Sequence, residues 1–309
     1  MPVLYLAGFG RSGSTLLDRL VGGHAGVVGM GELSNLWLRG VLENQLCSCG
    51  QRFASCPFWS KVRETDPSIF SVETARVMVE LENRLLRTRR VPALWTARSR
   101  DRLAALWSPA ARHAMSHLYR AIQRVSGAQL IVDSSKHPTY GFLLAQSPEV
   151  RMRIVHLIRD PRAVAFSWLR PRRDPTDVGL MTNRYSATQS ALIWDAWNVS
   201  VPLVAKASGV PYARLRYEDL VENAHEMVEG LIDDARAALG LSESTQPVVP
   251  DAYHSISGNP MRFHPWPIEV RLDNEWRRSL PPKLRRTVSV LTLLPLGPAS
   301  VARQTPSGT

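Results

Sequence analysis

The sequence predicts an α/β fold in which a mainly parallel central sheet is flanked by helices and interrupted by a helical insertion. Three observations carry this expectation. A short apolar segment at the N-terminus runs into a glycine-rich turn and then a helix. Further apolar segments of strand length recur downstream, each followed by a polar turn and a helical pattern, and such alternation argues for parallel strands covered on both faces. The polar residues with chemical potential all follow these segments, and parallel sheets bind ligands beyond the carboxyl ends of their strands.

Val3 to Ala7 is the first strand. Gly8, Gly10 and Gly13 then permit backbone conformations and close approaches that a Cβ would block. Leu16, Leu17, Leu20 and Val21 recur at helical spacing, so a helix opens near Ser14. Its free N–H groups and positive partial charge make an anion site, to which Arg11 adds a full charge and Ser14 and Thr15 add hydroxyls. Set against the nucleotide-triphosphate pattern G-x-x-x-x-G-K-S/T, Gly8 to Thr15 keeps the glycines and the final threonine but has Ser14 in place of lysine. That lysine serves the β- and γ-phosphates, so its loss counts against an ordinary ATPase or kinase. The expected fold is thus P-loop-like and nucleotide-binding, with the cradle adapted to a shorter anion.

Next comes a turn with a short strand at Val27-Val28, after which Glu32 opens an amphipathic stretch through Leu33, Leu36, Trp37, Val41 and Leu42. From Ser71 to Arg124 the pattern is helical, broken at Pro92, with Pro109 marking a start or a kink. Residues 32–126 therefore read as a helical insertion that caps the sheet edge or builds an acceptor pocket. Ala128 to Val132 is a strand ending in Asp133-Ser134-Ser135-Lys136-His137-Pro138. Arg153 to Ile158 is another, ending in Arg159-Asp160-Pro161-Arg162, where Asp160 can cap a helix and Pro161 suits its first turn. Tyr212 to Leu215 is the fourth, followed by Tyr217.

Residues 171–184 are polar and proline-containing, a surface loop suited to act as a lid. A long helix spans Ser186 to Lys206, with Trp194 and Trp197 read as core packing. Thr245 to Pro267 is irregular, the last helix runs from Pro282 to Leu294, and 302–309 is expected to be a flexible tail.

The chain has 309 residues, 44% of them hydrophobic, which allows a sizeable core. Its net charge of +11 suits an anionic substrate or cofactor, and only four of the 38 cationic side chains are lysines, which makes Lys136 more noticeable. No basic run with interleaved aromatics supports nucleic-acid binding. With no leader before the first strand and no apolar run of membrane-spanning length, a cytoplasmic protein is expected. Cys47, Cys49 and Cys56 lie close together, but a tetrahedral zinc site needs four ligands and three thiols leave one place unfilled. Reduced thiols pinning a loop, without metal, are the expectation, with a metal site or a redox-sensitive disulfide as the alternatives.

These residues resemble a known family. Gly8-Phe9-Gly10-Arg11-Ser12-Gly13-Ser14-Thr15 is similar to the 5′-phosphosulfate loop of sulfotransferases that use 3′-phosphoadenosine 5′-phosphosulfate (PAPS). Ile158 to Ser167 resembles their 3′-phosphate motif, in which the positions of Arg159 and Ser167 bind that phosphate. Gly258-Asn259-Pro260-Met261-Arg262 resembles the late loop that closes over the same group. The resemblance spans nearly the whole chain and implies one sulfotransferase domain over 1–309. Its cofactor residues would be Gly10 to Thr15, Arg159, Ser167, Tyr217, Gly258, Asn259 and Arg262, with Tyr217 also read as packing. Gly31-Glu32 and Asp133 to Lys136 are closest to the carbohydrate and tyrosylprotein branch. The cytosolic branch has Lys where Arg11 stands and a tryptophan where Leu16 stands.

Sulfuryl transfer is an in-line displacement that needs positioning, stabilisation of charge on the leaving phosphate, and a base for the acceptor hydroxyl. Arg11, the amides of Ser12 to Thr15 and Lys136 are the expected stabilisers. Glu32 and His137 compete as base. The product nucleotide would be 3′,5′-ADP, and the acceptor a hydroxyl-bearing small molecule, carbohydrate or lipid. Two rival readings stay open: a P-loop kinase or NTPase, with Asp133 as a magnesium-binding acid, and a non-catalytic nucleotide-binding module.

Overall fold

The structure, a computed structural model, describes residues 1–171, 185–243 and 253–292. Most of the expected lid, the start of the irregular stretch, the end of the last helix and the tail lie outside the described residues. Five parallel strands, β1 (Pro2–Ala7), β2 (Val27–Gly29), β3 (Leu130–Lys136), β4 (Arg151–Ile158) and β5 (Tyr212–Arg216), form a sheet in the order β2-β3-β1-β4-β5. β1 is central, with Val3 opposite both Ile131 and Met152. Because β2 and β3 lie on one side of β1 and β4 and β5 on the other, the winding reverses beside β1. The crevice at its carboxyl end is where such a sheet binds ligands.

All six β1 residues are buried, as in a strand covered on both faces. Leu4 and Leu6 pack with α1 (Ser14–Gly22) on one face, while Val3, Tyr5 and Ala7 face the other way. That second face is covered by the segment between β2 and β3. It contains a 3₁₀ turn (Leu33–Asn35), a wide π-type turn (Leu36–Leu42) and helices α2 (Pro57–Thr65), α3 (Val72–Leu85), α4 (Ala97–Ala105) and α5 (Pro109–Ser126). Trp37, Trp59, Leu118 and Tyr119 from this segment share a core with Val3 and Tyr5, so it lies on the face of the sheet and not just at an edge. The amphipathic stretch after Glu32 is thus a 3₁₀ turn running into a π turn, not an α-helix. Pro109 is a helix start: Ser108 Oγ accepts from the Ala111 amide ahead of it.

β3 runs four residues past its expected end, through Lys136. Polar residues are tolerated in this buried strand because each has a partner. Asp133 accepts from Tyr119 Oη and from the Ser135 amide and hydroxyl, and Ser134 Oγ donates to Asp18 at 2.6 Å. The remaining helices are α6 (Pro138–Ala145), α7 (Pro161–Leu169), α8 (Ala187–Ser208), α9 (Tyr217–Glu222), α10 (Ala224–Leu239), α11 (Trp276–Ser279) and α12 (Pro282–Leu291). Asp160 caps α7 by accepting from the Arg162 amide at 2.8 Å, with Pro161 in the first turn. Among the described residues no helix is long and apolar enough to cross a membrane.

Candidate active site

The residues that follow β1, β3 and β4 converge on a cavity of about 470 Å³. Gly10, Arg11, Gly13, Ser14 and Thr15 line it from the first turn, Lys136 from the end of β3, Arg159 and Ser167 from the end of β4 and α7, and Tyr217 from the start of α9. Gly258 and Asn259 close it from the late loop, where the Asn259 amide donates to Thr15 Oγ1 at 3.3 Å. Gly13 has φ +93°, and a Cβ there would meet the Tyr217 ring at 2.4 Å, so the turn and Tyr217 fit only with glycine. Tyr217 therefore packs and lines the cavity at once, and its ring lies 4.4 Å under the Arg159 guanidinium. Arg159 also donates to the Arg11 carbonyl at 3.1 Å and reaches Asp273 Oδ2 at 3.4 Å, while Trp194 Nε1 donates to the Arg159 carbonyl.

Arg11 and Lys136 both hold left-handed backbone conformations, with φ of 71° and 68°. Strain of this kind on residues other than glycine gathers at functional sites. Five cations (Arg11, Arg39, Lys136, Arg159, Arg271) and two carboxylates (Glu32, Asp273) line the cavity, a balance that favours a polyanion. Arg39, Arg271 and Asp273 escaped the sequence reading, because nothing in their local pattern aims them at the strand ends.

Glu32 and Lys136 form an ion pair at 2.5 Å, with the two side chains 19% and 14% exposed. Burial by itself would raise the Glu32 pKa, but Lys136, Arg39 and Arg262 outweigh it and hold the carboxyl below its usual range. Asn35 Nδ2 donates to Glu32 Oε2 at 2.9 Å, and Lys136 Nζ donates to the Ser134 carbonyl at 3.1 Å. The turn that presents Glu32 is held from below: the Gly31 amide donates to Asp18 Oδ2 at 2.8 Å. Asp18 is fully buried in α1, and burial, only partly offset by hydrogen bonds from Ser134 and Tyr253, pushes its pKa up to about 7. Gly31 itself has φ +70°, and a Cβ there would lie 1.8 Å from Ser255 Oγ.

A second cavity of about 430 Å³ adjoins the first and shares Gly10, Glu32, Asn35, Lys136 and Trp168 with it. Its other walls come from α3 (Val79, Glu82, Asn83), from Leu38, Leu86 and Arg87, and from Phe9, Ser135, His137 and Trp197. Trp194 is core, as read from the sequence, but Trp197 lines this cavity. Glu82 is buried there, and burial raises its carboxyl well above the usual range.

Three sequence-predicted residues or clusters sit differently from the rest. Arg262 does not line the nucleotide cavity: it turns inward, donates to the Leu46 carbonyl at 3.4 Å, stacks on Phe263 at 4.5 Å and acts on Glu32 through its charge. Ser12 is likewise buried beneath the turn and absent from the cavity wall. The cysteine trio is not three thiols alone, since His254 Nδ1 stands 3.3 Å from Cys56 Sγ. His137 is brought to the second cavity but is nearly buried. Its Nδ1 accepts from the Thr139 amide at 3.2 Å as a helix cap, and its ring meets Trp197 edge-on at 4.4 Å. Burial, not the neighbouring Lys136, lowers its pKa to about 3.

The described residues are thus arranged as a phosphate cradle next to a second pocket. The model of the Sulfotransferase family matches residues 2–239, well over half of the chain. Among solved structures the chain is similar to the sulfotransferase domain from the curacin biosynthetic pathway, at 17% identity and a TM-score of 0.42, covering 95% of this chain and 98% of that one. It is also similar to sulfotransferase STF1 from Mycobacterium tuberculosis H37Rv, at 17% identity and a TM-score of 0.40, covering 82% and 72%. No curated protein matches it in sequence. The family match spans all five strands and the residues Arg11, Glu32, Lys136 and Arg159 at their carboxyl ends, and on it the chain belongs to the Sulfotransferase family.

Proposed function

We propose that this protein transfers the sulfuryl group of PAPS to a hydroxyl of an acceptor, with the nucleotide in the cationic cavity and the acceptor in the cavity beside it. The observation that carries this reading is the Glu32–Lys136 pair, which stands on the wall common to both cavities. A group that passes between two bound molecules must pass there. The residues fit such a donor. The start of α1 and Arg11 suit a 5′-phosphosulfate, and Arg159 with Ser167 suit a 3′-phosphate. Arg271, which also lines the cavity, adds a further cation to it.

PAPS supplies an activated sulfuryl group on a phosphate leaving group. Arg11, the α1 amides and Lys136 stabilise the charge that grows on that phosphate. Glu32 accepts the proton of the acceptor hydroxyl. A carboxylate held this low is a weak base while paired. An anion beside Lys136 competes for its ammonium, and the released Glu32 becomes more basic as the proton must move. His137, capped and enclosed, serves better to shape the acceptor wall. The kinase reading loses its magnesium acid, because Asp133 is committed to Tyr119 and Ser135 and does not line the cavity. Acceptors of moderate size, bearing a hydroxyl and some apolar surface, suit walls that include Phe9, Leu38, Val79 and Trp197. The thiols suit a reducing, cytoplasmic setting.

Calorimetric titration tests the nucleotide. 3′,5′-ADP should bind more tightly than ATP with magnesium, and the reverse order would overturn the reading. Incubation with PAPS and an extract, followed by mass spectrometry, tests the chemistry: a product heavier by one sulfuryl group is expected. If 3′,5′-ADP binds but no extract yields a sulfated product, the non-catalytic reading replaces this one.

A further inference from the structure

Three cysteines and one histidine that the proposed reaction does not use meet at a single point. Cys47 and Cys49 follow the π-type turn, Cys56 precedes α2, and His254 lies 198 residues after Cys56. Cys56 Sγ is 3.6 Å from Cys49 Sγ, 3.7 Å from Cys47 Sγ and 3.3 Å from His254 Nδ1, and Cys47 Sγ is 3.7 Å from the same nitrogen. All four ligand atoms lie within 4.8 Å of one another.

These separations are those of a metal tetrahedron. Zinc bonds of about 2.3 Å to sulfur and about 2.05 Å to nitrogen, at tetrahedral angles, give S···S edges of about 3.8 Å and S···N edges of about 3.6 Å. The four separations above agree with these edges to within about 0.3 Å. A disulfide would instead bring two sulfurs to about 2.05 Å. We propose that Cys47, Cys49, Cys56 and His254 bind a structural zinc ion, which reverses the expectation from three thiols alone.

The surroundings are built for this. Cys47 and Cys56 are buried, while Cys49 is half-buried. The Phe58 ring stacks on the His254 ring at 4.9 Å with an interplanar angle of 11°, and Trp59 Nε1 donates to the His254 carbonyl at 2.8 Å. Both the amide and the hydroxyl of Ser48 donate to the Ser255 carbonyl at 2.9 Å. Such outer partners fix the orientation of ligands around a metal. Four protein ligands leave no open position, so the ion is structural and takes no part in transfer.

The ion joins the insertion to the late loop. Directly after His254, Ser257 Oγ accepts from Asn35 Nδ2 at 3.1 Å, and the Asn259 amide donates to Thr15 Oγ1. The clamp therefore sets the register of the loop that closes the nucleotide cavity. It rests on the ligand geometry and stands whether or not the sulfotransfer reading holds.

The test uses the full chain, purified without chelator from zinc-supplemented culture. Elemental analysis should find about one zinc per chain. In denaturant with chelator and no reductant, all three thiols should titrate. Cobalt added to the apoprotein should give the visible bands of tetrahedral cobalt–thiolate, and removal of zinc should lower the melting temperature. Cys49→Ser, at one of the two half-buried ligands, should fold and lose most of the zinc. Less than about a tenth of an equivalent of zinc, one titrating thiol instead of three, or an apoprotein that melts with the zinc form would each overturn the proposal.

Discussion

Glu32→Gln separates chemistry from architecture at the centre of the site. The change is nearly isosteric, and the new side-chain oxygen can still accept from Asn35. Removing a positioned base costs about 10²–10⁴ in rate, so turnover with PAPS and an acceptor should fall at least about 100-fold. Nucleotide binding should move the other way. Glu32 neutralises Lys136 and repels any anion in the cavity. At an effective dielectric constant of about 20, a like charge about 8 Å away is worth about 2 kcal/mol, which water at the partly exposed carboxylate reduces. Affinity for 3′,5′-ADP should therefore stay level or rise by up to about tenfold. The ion pair is neither a surface pair nor a fully buried one, so its loss should cost about 1–2 kcal/mol, a few degrees in melting temperature. Steady-state kinetics, calorimetry with 3′,5′-ADP and a thermal melt read the three quantities separately. Turnover within about fivefold of the parent would sink the base assignment. A tenfold loss of 3′,5′-ADP affinity together with a large drop in melting temperature would mean that Glu32 builds the turn and does no chemistry.

Three further outcomes follow from the same geometry. Arg159→Ala should reduce the preference for 3′,5′-ADP over 5′-AMP from more than about tenfold to near parity, since a charge-assisted contact contributes about 1.5–3 kcal/mol; an unchanged preference would remove Arg159 from the 3′-phosphate site. Gly31→Ala puts a Cβ at φ +70° and 2.9 Å from the Ser257 carbonyl. The left-handed backbone alone costs about 1–2 kcal/mol and the crowding as much again, so melting should fall by about three to six degrees, and a variant melting with the parent would refute the packing argument. Asp18 sets part of the pH dependence. Its pKa rises from 3.8 unfolded to about 7 folded, so between those values the folded state keeps a proton that the unfolded state has lost. Stability from this group is thus full below about pH 4, falls as pH rises towards 7, and then levels off, by up to about 4 kcal/mol. Denaturant midpoints at pH 5 and pH 8 should differ less in Asp18→Asn than in the parent, and an equal difference in both would show that Asp18 titrates normally.

The first turn, the α7 cap and the position of the site at the strand ends were legible because each is a local pattern. Glycines at a turn, an apolar run before it, and Asp160-Pro161 at a helix start impose their conformations within a few residues. What could not be read depends on distant partners. Asp133 to Ser135 look like a turn by composition, yet they continue β3 because Tyr119 and Asp18 bond them inside the core. Asp18, set between Leu17 and Arg19 in α1, has no local mark of burial, and its role is fixed by Gly31 from the turn after β2 and Ser134 from β3. Arg262 sits in a loop whose sequence says nothing of which way its side chain turns, and its partners, the Leu46 carbonyl and the Phe263 ring among them, are set by the fold. The same logic applies to the cysteines. Cys47, Cys49 and Cys56 declare three corners of a tetrahedron by their spacing, but the fourth comes from an irregular stretch 198 residues away from Cys56. An incomplete ligand set in one loop is therefore a reason to search the histidines of segments without assigned structure, because only the fold can bring the missing corner in.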